Sequence, residues 1–142
     1  MKLLFIKYLV VTIVIVGCEK QQTSTEKDYW ININKDSNDT IYKIEYFPNG
    51  KISVKAPLVD QKKNGIAKYY SIDGKIAMEF TYKNDLRCGE FIQYFPDGKI
   101  MRKGYFENDH PIGSETFYDK NFNIIKIVYF DSAGTIIKTT EF

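Results

Sequence analysis

Gly89-Glu90-Phe91-Ile92-Gln93-Tyr94-Phe95-Pro96-Asp97-Gly98-Lys99-Ile100 is the stretch on which the fold turns. It alternates apolar and polar residues up to Tyr94, breaks at Pro-Asp-Gly, and resumes alternation from Ile100. That is the pattern of two strands joined by a turn. The same pattern recurs along the chain at a spacing of 24 residues, from Tyr46 to the C-terminus. Aromatic residues stand at Tyr46, Tyr70, Tyr94, Tyr118 and Phe142. Glycines stand at Gly50, Gly74 and Gly98, and a second set at Gly65, Gly89 and Gly113. Ile52, Ile76, Ile100 and Ile124 form one apolar column; Leu58, Tyr82, Phe106 and Phe130 form another. A fixed period in this range marks a stacked array of one supersecondary unit.

Each unit holds two strands. Asn49-Gly50, Asp73-Gly74 and Asp97-Gly98 predict tight type I′ turns, which need positive φ at both central residues. The stretches Asp60 to Gly65, Asp85 to Gly89 and Asp109 to Gly113 predict wider turns. No window sustains a helical period, and Tyr, Phe, Ile and Thr favour strands. Alternation places Ile52, Val54, Ala56 and Leu58 on one side, with Ile76, Met78, Phe80 and Tyr82 beside them. Ser53, Lys55, Ala77, Glu79 and Thr81 fall on the other, so one face is apolar and one wet. Arg102 and Gly104 interrupt the apolar side. The reading is all-β: an antiparallel meander of tandem hairpins in one elongated, curved sheet. Its last hairpin is expected to be the most exposed and the readiest to seek a partner.

Residues 1–17 read as an address. Lys2 and Lys7 flank the start of a short apolar run, and Gly17-Cys18 resembles a bacterial lipobox. The nine-residue, largely apolar stretch from Tyr8 to Val16 is too short to span about 30 Å of hydrocarbon as a helix. Cys18 is therefore expected to carry lipid and hold the protein to a membrane of the bacterial cell envelope. Residues 18–27 read as a flexible tether and residues 28–142 as the repeat domain. Within that domain, 28–45 form an N-terminal cap hairpin and 46–142 the four repeats. Trp30, the single tryptophan, is expected to pack in the cap, with ligand stacking as the alternative.

The 142-residue chain carries 20 basic and 18 acidic residues. Loss of Lys2 and Lys7 with the signal peptide would bring the two into balance. A neutral chain with interleaved charges lacks the footprint of a nucleic-acid binder. Two cysteines are present, and with Cys18 lipidated Cys88 has no disulfide partner. His110 is the single histidine, so a multi-histidine metal site has too few ligands and any Ser-His-Asp or Cys-His scheme would rest on this one loop residue, which is expected to be a solvated turn residue. The recurring aspartates are explained as turn formers. No phosphate loop or calcium loop occurs, and no cofactor, metal or catalytic group is expected. Lys51, Lys75 and Lys99 follow the tight turns, either as solvated side chains or as a basic ridge for anionic lipid.

The segment quoted first, with Gly104-Tyr105-Phe106-Glu107-Asn108 and Gly113, resembles the bacterial variant of the MORN repeat. Tyr70 to Ile76 with Tyr82, Asn84 and Gly89 is similar. The resemblance covers residues 46–142 and implies a row of β-hairpins used for binding or scaffolding, without shared catalytic residues. Some bacterial proteins with this repeat carry the designation of antitoxin components. Two places depart from the pattern. Asn121-Phe122 replaces Asp-Gly, which implies a turn of different geometry because Phe disfavours positive φ; Asp60-Gln61-Lys62 is degenerate.

A non-catalytic binding or scaffolding module with a protein partner is the function this sequence favours. An antitoxin or immunity protein is the first alternative, and a cell-wall or lipid-surface binder the second. The expected contact surface is aromatic: Trp30, Phe91, Phe95, Tyr105, Phe117 and Tyr129.

Overall fold

A computed structural model describes residues 32–35 and 40–142. Cys18, residues 18–27 and Trp30, with the lipid, tether and cap packing expected of them, lie outside the described residues. Among the described residues, eleven strands form one antiparallel sheet: β1 Asn32–Lys35, β2 Ile41–Tyr46, β3 Ile52–Val59, β4 Lys62–Lys63, β5 Gly65–Tyr70, β6 Ile76–Lys83, β7 Leu86–Tyr94, β8 Ile100–Glu107, β9 His110–Tyr118, β10 Ile124–Phe130 and β11 Ile136–Glu141. Chain order is sheet order, except that the short β4 pairs with β3 beside β5. The described residues therefore form the expected meander of tandem hairpins.

The turns exchange roles relative to the sequence reading. Asn49, Asp73 and Asp97 do not have positive φ; Gly50, Gly74 and Gly98 alone do. Gly50 N–H donates to Phe47 O at 2.9 Å, and Phe47 N–H donates to Lys51 O at 2.8 Å. These are three-residue loops, each a type I turn closed by a glycine bulge. Pro48 and Pro96 suit this geometry, since proline fixes the φ that the first central position of a type I turn needs, and Ile72 at the same place in the loop between them gives the same closure. The two-residue turns with positive φ at both positions are the supposedly wider ones: Asp60-Gln61, Asn84-Asp85 and Asn108-Asp109. Asn and Asp tolerate the left-handed region through local hydrogen bonding. Even the degenerate Asp60-Gln61 keeps that geometry.

Phe122 provides a second correction. It takes φ 67°, and its N–H donates to Asp119 O at 3.1 Å, so the fourth loop repeats the others despite the missing glycine. At the fourth two-residue position the chain departs instead. Asp131 to Thr135 makes another three-residue loop, with Gly134 in the left-handed region.

The repeats are locked along both flanks. Lys51 Nζ donates to Asp73 O at 3.2 Å, Lys75 Nζ to Pro96 O at 2.7 Å, and Lys99 Nζ to Lys120 O at 2.8 Å. Each lysine thus ties its loop to the next one, and neither a free ridge nor a set of purely solvated ammoniums results. Asn123 stands where the next lysine would be and turns its amide back to Asp119 at 3.0 Å, which ends the series. On the other flank, Asp85 accepts Lys63 N–H at 2.8 Å and Asp109 accepts Arg87 N–H at 3.0 Å.

Packing follows the predicted apolar face. Ala56 and Ala67 are fully buried with Tyr82, against Val54, Tyr69 and Phe80. The second glycine set sits opposite the aromatic column: Gly65 pairs with Tyr82, Gly89 with Phe106 and Gly113 with Phe130. Phe91 likewise pairs with the buried Gly104. At Gly104 the Phe91 ring lies over a position that has no side chain, where a Cβ would stand 2.9 Å from it.

Candidate binding surfaces

The sheet presents two faces and a C-terminal edge. On the apolar face, Phe80 stacks on Phe91 with centroids 5.5 Å apart, and Phe106 meets both edge-on. Tyr69 meets Phe80 edge-on, and its hydroxyl shares a 2.7 Å hydrogen bond with that of Tyr82. Two arginines cap the rings. Arg87 lies 4.3 Å from the Phe106 centroid and is paired with Asp109 at 2.9 Å. Arg102 lies over Phe91 and Phe117, donates to Gln93 at 2.6 Å, and is paired with the buried Glu115. A buried carboxylate needs such a partner. The off-pattern Arg102 is therefore a packing device for Glu115 and two phenylalanines.

The aromatic residues expected to form one contact surface are divided. Phe91 is 4% exposed and belongs to the core, so it is not a surface residue. Burial wins there because the facing Gly104 leaves room for the ring to lie down. Phe117 is half-buried on the same face, beneath Arg102 and Lys126. Tyr105 is exposed on the opposite face, and Tyr129 is half-buried there beside Lys138. Phe95 closes a loop and lines a shallow hollow with Tyr94, Pro96 and Met101. The glycines Gly50, Gly74 and Gly98 close loops, whereas Gly65, Gly89 and Gly113 lie at strand positions with positive φ.

Burial, and then the hydrogen bond to Tyr82, pushes the Tyr69 hydroxyl well above the usual tyrosine range. Burial and the hydrogen bond to Glu79 push Tyr94 up to about 12. Asp109 is held below the usual carboxylate range by its hydrogen bonds from Arg87. Among the described residues, no cluster of three His, Cys, Asp or Glu side chains could hold a metal ion. His110 is exposed at the start of β9.

The C-terminal edge is different. Ile136 and Ile137 of β11 are 60% and 65% exposed, and Phe142 is 74% exposed. Ile124 and Ile125 of β10 add apolar surface at the Phe142 end, where Phe142 N–H donates to Ile125 O at 3.0 Å, whereas Ile136 pairs with Phe130 at the other end. Among the described residues, no strand pairs with the outer side of β11. Exposed isoleucines on an unpaired strand make a surface ready to accept another strand. The sequence foresaw the exposed hairpin but not the residues: Ile137 stands where earlier units hold Gly65, Gly89 and Gly113, and Ile136 where they hold Asn64, Cys88 and Ile112.

Residues 63–84 and 87–108 match the MORN repeat variant, so the chain carries two repeats of that kind. No curated protein matches the chain. Among solved structures, the crystal structure of TarM is similar at 11% identity and a TM-score of 0.48, covering 70% of this chain and 19% of that one. A mutant S. aureus TarM in complex with Fondaparinux, alpha-GlcNAc-glycerol and UDP has 11% identity and a TM-score of 0.53. That match covers 78% of this chain and 21% of the other. The chain thus spans about a fifth of the length of these structures, and the likeness to the second is one of fold alone.

Proposed function

We propose that this chain is a non-catalytic binding module, held at the bacterial envelope by lipid on Cys18, whose protein partner adds a strand to β11. MORN repeats generally serve as protein- or membrane-binding modules. The observation that carries the choice of a protein partner is the exposed apolar edge formed by Ile136, Ile137 and Phe142. Strand addition draws affinity from backbone hydrogen bonds and specificity from alternate side chains, and β11 offers both. The tether sequence supports the lipid anchor, since it would let the module stand clear of the bilayer. A toxin bound at this edge would make the protein an antitoxin; a resident envelope protein would make it a scaffold.

The test is site-specific photo-crosslinking in intact cells, with the crosslinker placed at Ile137 or at Ile66. A discrete protein adduct at Ile137 that is absent at Ile66, and is lost on Ile136→Lys, is the expected result. Adducts at neither position, or equal adducts at both, would overturn the assignment of the edge.

A further inference from the structure

The face opposite the aromatic cluster carries an unusual juxtaposition. Lys55 on β3 and Lys68 on β5 are directly opposite in the strand register. Like charges in that position destabilise a sheet. Their local compensation is incomplete. Glu79, opposite Lys68, reaches it at 3.5 Å but also accepts the Tyr94 hydroxyl at 2.8 Å. Lys55 extends over the Tyr42 ring, 4.2 Å from its centroid, with the apolar Ile44 as its other cross-strand neighbour. Of the two ammonium groups, Lys68 alone is ion-paired among the described residues. Nor is the pair a product of the repeat, since the equivalent positions one unit on hold Glu79 and Ile92.

The two lysines border a cavity of about 380 Å³ between β2, β3 and β5, completed by Tyr42, Tyr70, Pro57 and Ile66. Its volume lies in the range of small-molecule sites. Apolar ring faces and a proline supply flat contact, and ammonium groups and a tyrosine edge supply hydrogen bonds. A ligand suited to this lining has an apolar ring face, a hydroxylated rim and a negative charge. We infer that the cavity binds an acidic sugar, a hexose-sized ring bearing a carboxylate or phosphate, with Lys55 and Lys68 clasping the anion. A bound anion would relieve the repulsion that the bare sheet carries. This site lies on a face and is independent of the β11 edge.

The test is calorimetric titration of the full chain in detergent with glucuronate and with glucose phosphate, against glucose, acetate and inorganic phosphate. At least one acidic sugar should bind, with glucose weaker by about tenfold or more through loss of a charge-assisted hydrogen bond, and acetate and inorganic phosphate weaker by about tenfold or more through loss of the ring's buried apolar contact. Lys55→Gln and Lys68→Gln should each weaken binding by about tenfold, and Lys103→Gln, elsewhere on that face, should leave it unchanged. The thermal midpoint of Lys55→Gln should equal or exceed that of the parent, because a like-charge contact is lost; this separates lost binding from lost folding. Three results would each overturn the inference: no binding of either acidic sugar, inorganic phosphate or acetate binding as tightly as the sugar, or unchanged binding by both lysine variants. Capture by phosphatidylglycerol vesicles without binding of free sugar would reassign the lysines to a membrane surface.

Discussion

Asp109 accepts both the backbone N–H of Arg87, at 3.0 Å, and its guanidinium Nε, at 2.9 Å, joining one hairpin to the hairpin before it. The Arg87 side chain then lies over Phe106, so a turn carboxylate positions a cation on the aromatic face. Asp85 makes the equivalent backbone contact to Lys63. Asp109→Asn should therefore lower the urea midpoint more than Asp85→Asn, with m unchanged in both. Acid provides a second reading. The folded pKa of Asp109 is depressed, so its contribution is present above the unfolded value of about 4 and is lost as pH falls through the folded value. The acid limb of the stability profile should be shallower in Asp109→Asn; an unchanged limb would remove this pair from the account.

The tyrosines set the opposite limb. Tyr69 and Tyr94 both have raised pKa values in the folded chain, through burial first and hydrogen bonding second. Their contribution is complete below the unfolded value of about 10 and is lost as pH rises toward the folded values. Tyr94→Phe should lower stability at neutral pH by about 1 kcal/mol, through the lost bond to Glu79. It should also flatten the decline above about pH 10. Tyrosinate absorbance recorded alongside the unfolding signal checks this; ionisation of every tyrosine before any loss of structure would contradict it.

Strands and faces could be read from the repeat because side-chain alternation and turn residues are local signals. Val54, Ala56, Phe80 and Tyr82 all face the packed side as their parity requires. Turn type was not legible, since Asn-Gly and Asp-Gly suit two loop geometries, and the loop with Ile72 closes just as those with Pro48 and Pro96 do. Cross-strand partnership was hidden as well. Gly89 and Phe106 were visible as separate columns, but only the register shows that they pair. For the same reason Phe91 looked like a surface aromatic and Gly104 like a flaw. The edge residues Ile136 and Ile137 went unread because sheet edges are defined by what fails to pair, which no local pattern reports.

Gly104 offers a direct test of that pairing. A Cβ there would stand 2.9 Å from Phe91 Cε1 and 3.3 Å from the Ser114 carbonyl oxygen. Its backbone φ is not in the left-handed region, so a steric cost would be the whole effect. Gly104→Ala should destabilise the chain by about 1–3 kcal/mol, the range for overpacking a well-filled core. Phe91→Leu makes room, so the double variant should lose less than the two single losses added together. Simple additivity in urea unfolding would mean that the ring does not lie on the glycine.

Phe122 holds a left-handed backbone, which costs a residue with a Cβ about 1–2 kcal/mol. Its ring stacks on Tyr118 with centroids 4.6 Å apart and planes 5° from parallel. Such a pair contributes about 0.5–1.5 kcal/mol, enough to offset much of the strain. The loop carboxylate of Asp119 adds support by accepting the N–H groups of Asn121 and Asn123, both at 2.8 Å. Phe122→Ala removes the stack and keeps the strain, so it should be destabilised by about 1 kcal/mol. Phe122→Gly removes both, and although glycine loses about 0.5–1 kcal/mol more entropy on folding, it should remain close to the parent. Glycine is thus expected to be the more stable of the two variants in denaturant titrations. If alanine matched it, the positive φ at this loop would not survive in solution, and the fourth turn would have the different geometry that its sequence suggests.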